Sequence, residues 1–378
     1  MINNLGFDDL MKLFRSVFAL GFDEGDLTFL VDLPDEIIRD TEEWHDRRQI
    51  AAEWYGHMNG NMSQTPFRKI NLCTYSNVGS NNNDLPPFVN RVNEFLGDAS
   101  LRGGIPVPLD EILSSSGIVI ALTELSATAP LKMLAKRFQF RGASMPGFLR
   151  SMMPTLSINY EDVHARVVQL KERMDRAELA RVTLASNGNS YSSVYDLRFR
   201  LGHASGGLIR ERGLVANLPS GEAFITPYEG EREAEPSFSS GLLPVQFDDE
   251  IVVYRINNNR AITVESQGHY SDLERSKLRD EPAYGNIAEL GMGILSEWGV
   301  RPVGRILLDE KCGLHIAFGR SEHFGGVTSP SSFKNPKKVV HIDRVYLPSL
   351  QPKISVENVT FVYVAEEEKI MDKGKYLV

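Results

Sequence analysis

Thiols are scarce in this chain of 378 residues: Cys73, in "INLCTYS", and Cys312, in "DEKCGLH", are the only two. They form no CxxC pair, which argues against a zinc–thiolate site and against a disulfide framework, and favours a reducing, cytoplasmic setting. Long apolar runs are lacking as well. No stretch reaches about 18 apolar residues, so no membrane span is expected. The opening "MINNLGFDDLMKLFRSVF" lacks the basic start, apolar centre and small-residue cleavage site of a signal peptide. Positive charge is in deficit, with a net charge of −9. "RRQ" at 47–49 and "KNPKK" at 334–338 are short and isolated, so neither nucleic acid nor an anionic membrane is an expected partner. No period of 20–50 residues recurs, which excludes a repeat architecture.

What remains is an ordinary globular composition, 42% hydrophobic and 24% charged, in a chain long enough for two domains. The first half alternates. Strands are expected at 26–34, 69–78 and 116–125. Helices are expected at 10–21, 41–58 (with a capping-box pattern opening at Thr41), 86–97, 129–139 and 160–180. Strands alternating with helices imply an α/β fold with a mostly parallel sheet. After about residue 181 strand-like runs dominate: "RVTLAS", "YDLRFRLG", "EAFITP", "EIVVYRI", "AITVES", "RILLD", "LHIAFG", "VVHIDRVYL" and "VTFVYV". Helical signal shrinks to "SDLERSKLRDE" and "NIAELGMGILSEWG". The expected organisation is an N-terminal α/β domain over 1–180 and a β-rich α+β domain over 181–378.

Chemistry concentrates in the second half. Glu222 follows a Pro-Ser-Gly turn and precedes a strand, a placement that faces a cleft. Glu289 lies among Ile287, Ala288 and Leu290, in a segment read as helical, where a charge is costly unless paired or metal-bound. His315 sits inside the strand "LHIAFG". His341 and Asp343, two apart in "VVHIDRVY", point the same way if that run is a strand. Two imidazoles and three carboxylates without a thiolate suit a divalent cation, or two sharing a bridging carboxylate: zinc, manganese, cobalt or ferrous iron. Taken one at a time, each of these residues reads as readily as a satisfied core group, a turn cap or a solvated side chain.

The ordered set "NLPSGEAFITP", "IAELGMG", "ILLDEKCGLHIAFG", "HFGG" and "VVHIDRVY" resembles the C-terminal domain of the thermophilic metallopeptidase family, which includes aminopeptidases T and S. The intervals are 67 residues from Glu222 to Glu289, 26 to His315 and 26 more to His341. The likeness covers roughly 180–345, and the preceding half in layout. It implies Glu222, Glu289, His315, His341 and Asp343 as ligands of one or two zinc, cobalt or manganese ions. It also implies a homodimer and a small-molecule or short-peptide substrate cleaved at an amide bond, with Glu222 or Glu289 sharing proton transfer. The family's tyrosine after the first ligand histidine is missing. The matching stretch is "GRSEHFGG", where His323 is the candidate proton-transfer group in its place. The same fold also hosts ring-opening dioxygenases acting on 2,5-dihydroxypyridine, which hold one ferrous iron through two histidines and an aspartate. His341 and Asp343 match that set, whereas Glu289 stands where those enzymes have a histidine. The alternative reading is therefore an iron(II) ring-cleaving enzyme.

Overall fold

The structure is a computed structural model that describes residues 4–93, 101–335 and 338–378. It divides into two compact units, Met1–His164 with Gly207–Ser220, and Ala165–Gly206 with Gly221–Val378. The chain thus returns once to the first unit, a division that no single cut of the sequence expresses.

The first unit is built on a seven-stranded sheet. Its order is Val215–Asn217, Arg141–Ser144, Ser116–Ala121, Asp26–Leu33, Lys69–Ser76, Phe88–Val92, Ile105–Pro108. Every neighbouring pair from Val215–Asn217 to Lys69–Ser76 is parallel, and the last two strands add antiparallel. Asp26–Leu33 is buried at every residue, its polar Asp26, Thr28 and Asp32 included, as befits a central parallel strand covered on both faces. The helix Glu42–Gly60 begins where its cap predicts: Thr41 accepts a hydrogen bond from the Trp44 amide at 3.1 Å. Cys73 lies in the core of this unit, where burial pushes its thiol up to about 12.

One expectation in this half is corrected. The helix expected at 86–97 is a strand over Phe88–Val92, clamped between Lys69–Ser76 and Ile105–Pro108. Leu85 and Pro86 each precede a proline, which favours extended backbone there, and the paired neighbours decide the rest. The remainder of that segment, 94–97, lies outside the described residues.

The second unit holds two antiparallel sheets. The eight-stranded one runs Arg260–Val264, Glu250–Asn257, Ser240–Phe247, Asn189–Asp196, Leu179–Ser186, Ser355–Val362, Glu367–Asp372, Lys375–Tyr376. The five-stranded one runs His341–Val345, Leu314–Gly319, Ile287–Gly293, Glu222–Ile225, His203–Ser205. The helix expected over 160–180 stops at Arg176, because Leu179–Ser186 alternates buried and half-buried and pairs as a strand.

Two further expectations are corrected here. "NIAELGMG" is not helical but a strand, Ile287–Gly293, buried throughout and paired on both edges, followed by a single turn at Leu295–Trp298. A short run buried on both faces carries no period-2 signature, and its two glycines disfavour a helix. "RILLD" is not a strand but a turn of helix, Ile306–Asp309, continuing as a tighter turn over Glu310–Cys312. The buried Asp309 carboxylate fixes that turn by accepting the Val303 amide at 2.7 Å.

Candidate metal centre

The five-stranded sheet brings all five sequence-identified donors onto one face. Directly opposed residues of antiparallel strands share a face. Glu222 opposes Gly293, Gly291 opposes His315, Glu289 and Asp343 both oppose Ala317, and His341 opposes Gly319. The donors alternate with Gly291, Gly293, Ala317 and Gly319, so the floor between them has almost no side chain. The opposite face carries Leu290, Ile316 and Phe318, buried in the core of the unit.

Five donor groups form two overlapping triads. Glu222, Glu289 and His315 offer ligand atoms within 4.8 Å of one another, and so do Glu289, His341 and Asp343. Glu289 belongs to both. Its Oε1 is 3.2 Å from His315 Nε2, and its Oε2 is 3.3 Å from His341 Nε2. Asp343 Oδ1 lies 3.6 Å from His341 Nε2, and Glu222 Oε2 lies 3.5 Å from His315 Nε2. Each imidazole is oriented by the backbone. His315 Nδ1 donates to the Gly313 carbonyl at 3.2 Å, and His341 Nδ1 donates to the Arg320 carbonyl at 2.8 Å. Both rings therefore turn Nε2 into the cluster, as histidines that bind a metal do.

The electrostatics describe a site short of positive charge. Burial opposes charging His315, yet its hydrogen bond to Glu289 and the carboxylates of Glu222, Glu289 and Asp343 push it up to about 10. His341 is raised for the same reasons, with Asp343 the largest favourable contributor. Burial pushes Glu289 up, but the two histidines outweigh it and hold the carboxyl well below its ordinary range. Asp343 is likewise held low, by His341 against burial. One buried oxygen, Glu222 Oε2, has no hydrogen-bond partner among the described residues. An unpartnered carboxylate oxygen beside two inward imidazole nitrogens is a donor set that fits a divalent cation. Exposure rises across the sheet: the side chain of His315 is 0% exposed, that of Asp343 10% and that of His341 20%. The cluster thus opens at the edge strand.

Several neighbours carry no signal in the sequence. Lys311 is buried and pairs with Glu222 Oε1 and, at 2.5 Å, with Glu310 Oε1. Burial alone would discharge it, but the two carboxylates hold it charged. Glu310 is pushed up to about 8, by burial against Lys311. His323 lies outside both triads, its ring 5.4 Å from that of His341. Burial and the neighbouring charge of His341 push it down to about 4. An aromatic wall flanks it: Phe324 lies 5.5 Å from His341, Phe224 lies 4.8 Å from Phe324, and His203 stacks on Phe224 at 4.9 Å. The turn carrying His323 and Phe324 is held by Glu229, which accepts from Ser321 Oγ, from the Thr328 amide at 3.0 Å and from Thr328 Oγ1 at 2.8 Å. A cavity of about 750 Å³ elsewhere in this unit, lined by Cys312, Leu314, Tyr346, Met371 and Tyr376, includes none of the five donors. Burial pushes the Cys312 thiol up to about 12, so that cavity offers no reactive sulfur.

No protein-family model matches the chain, and no curated protein matches it. Among the solved structures that match it, two do so from end to end. The 2,5-dihydroxypyridine dioxygenase from Pseudomonas putida KT2440 has a TM-score of 0.59 at 15% identity, covering 99% of this chain and 98% of its own. Wild-type AmpT (aminopeptidase T) from Thermus thermophilus has a TM-score of 0.52 at 14% identity, covering 98% and 99%. At these identities the likeness is one of fold. No helix among the described residues is long and apolar enough to cross a membrane. The chain has the fold that these two enzymes share, as the motifs of its second half implied.

Proposed function

We propose that this protein is a metal-dependent hydrolase of the aminopeptidase type, cleaving an amide bond in a small molecule or short peptide. The observation that carries the reading is the convergence of five donors in two triads that share Glu289, with both histidine Nε2 atoms turned inward by backbone carbonyls. Glu289 would contribute one oxygen to each position. Glu222 and His315 would complete the inner position, and His341 and Asp343 the outer. A divalent ion held there supplies Lewis acidity, lowering the pKa of a bound water and polarising a carbonyl. The partly exposed edge strand gives a substrate its approach, on the side of His341 and Asp343. His323, uncharged at neutral pH, is placed to accept a proton there in place of the tyrosine the family carries. The family's homodimeric assembly is part of the proposal.

A second reading has its own support. His341 and Asp343 with one more histidine make a set that ferrous oxygenases use, and Phe224 and Phe324 offer a planar ring a face beside them. That reading is an iron(II) enzyme opening a hydroxylated ring, the reaction class of the dioxygenase of like fold. The carboxylate at Glu289 favours the hydrolase. One paired assay separates the two. Protein reconstituted with zinc, cobalt or manganese is tested on aminoacyl amides, and protein reconstituted with ferrous iron is tested for oxygen uptake with 2,5-dihydroxypyridine. Amide turnover without oxygen uptake is expected. Oxygen uptake with ring loss, and no amide turnover, would replace the first reading by the second.

A further inference from the structure

We infer that Lys311 makes the two cation positions unequal: the outer one, of Glu289, His341 and Asp343, takes the first ion, and the inner one, of Glu222, Glu289 and His315, takes a second only at much higher concentration. The inference rests on the metal reading above and adds a ranking within it. At the inner position the Lys311 ammonium occupies Glu222 Oε1, so Glu222 has a single oxygen, Oε2, left to give. The same ammonium places a fixed positive charge beside any ion bound there, and like charges repel most strongly where water is excluded. Lys311 cannot swing aside. Its side chain is 4% exposed, and the segment that carries it lies directly over the sheet: a Cβ added at Gly293 would come within 2.2 Å of the Glu310 carbonyl oxygen.

The outer position differs in each respect. Among the described residues no lysine or arginine pairs with Glu289 or Asp343; their ionic partners are histidines. Both oxygens of Asp343 are free of ammonium contact. His341 and Asp343 reach solvent, so an ion can enter there and keep water in its coordination sphere. Glu289 presents a different oxygen to each side, so filling the outer position leaves Oε1 facing the inner one. Lys311 therefore acts as a built-in cation that partly satisfies Glu222 in place of a metal.

The test is a manganese titration of the full chain stripped by chelator, read by electron paramagnetic resonance and by elemental analysis. The wild type should bind one equivalent of Mn²⁺ with the six-line spectrum of an isolated ion, and a second about 10- to 100-fold more weakly. Lys311→Met should narrow that gap and produce an exchange-coupled spectrum at two equivalents. Glu222→Gln should keep the first ion, and Asp343→Asn should lose it, which keeps the inference testable if Lys311→Met does not fold. Two equal, coupled sites in the wild type would overturn the inference while leaving the metal reading intact. So would a Lys311→Met protein with an unchanged gap, or retention of the first ion by Asp343→Asn but not by Glu222→Gln. A folded wild type that binds no manganese, zinc or iron would overturn both.

Discussion

The substitution Gly291→Ala adds one methyl group at the centre of the cluster, and its consequence can be worked from the strand register. Gly291 opposes His315, and the imidazole lies across the glycine. A Cβ there would stand 1.9 Å from His315 Nε2, 2.3 Å from Cε1 and 2.6 Å from Cδ2. Ordinary contact is about 3.5 Å, so ring and strand must separate by roughly 1.5 Å. The ring has nowhere near to go, being fully buried with Nδ1 bound to the Gly313 carbonyl. Overpacking of this kind costs about 1–3 kcal/mol of stability. The displacement also breaks the 3.2 Å approach of Nε2 to Glu289, which lowers affinity for the second zinc, at the inner position, on the order of 10- to 100-fold. The assay pairs thermal unfolding of the metal-free protein with a zinc titration against a competing chelator. Gly56→Ala, in a helix with nothing within 4 Å of the new methyl, is the control and should stabilise by up to about 1 kcal/mol. A Gly291→Ala protein that melts with the wild type and binds the second zinc equally well would refute the placement of His315.

Three other consequences are measurable. His323→Ala should leave zinc stoichiometry unchanged while lowering kcat about 10²- to 10⁴-fold, and in the wild type the low position of this ring, about 4, leaves it uncharged throughout the neutral range. Glu229→Ala removes the carboxylate that ties Ser321 and Thr328; it should destabilise the second unit by about 1–3 kcal/mol and expose the 321–328 turn to protease, with metal binding intact. The pH dependence has a definite sign. His315 in the metal-free protein is raised from 6.5 to about 10, so its contribution to stability is complete below 6.5 and is lost as pH climbs through about 10. Melting temperature without metal should therefore fall across that window. Affinity for the second zinc, at the inner position, should rise over the same window, because binding there must expel the His315 proton.

How much of this was legible in the sequence depends on what each residue's signal reports. The parallel half reads well because Asp26–Leu33 and Ser116–Ala121 are short runs rich in Leu, Ile and Val, and because Thr41 announces its helix. The chemistry reads well for a different reason. Glu222, Glu289, His315, His341 and Asp343 are residue types that an apolar strand does not tolerate without a partner, so their positions carry information even where the element type is misjudged. Glu289 is the instructive case. Its segment reads as helical because a strand buried on both faces lacks alternation, yet the buried carboxylate was identifiable all the same. Lys311 could not be ranked. Its importance comes from a long-range contact with Glu222, 89 positions away, and such a contact leaves no local pattern. Phe88–Val92 is a strand because of neighbours on both sides rather than its own propensity.

The central claim is that one buried face of the second unit holds a divalent cation through Glu289 and its partners. The most direct measurement is elemental analysis of the full chain, loaded with zinc and freed of excess by gel filtration, beside Glu289→Ala treated identically. At least one zinc per chain in the wild type and none in the folded variant is the predicted result. Equal zinc in both, or none in either, would contradict the account.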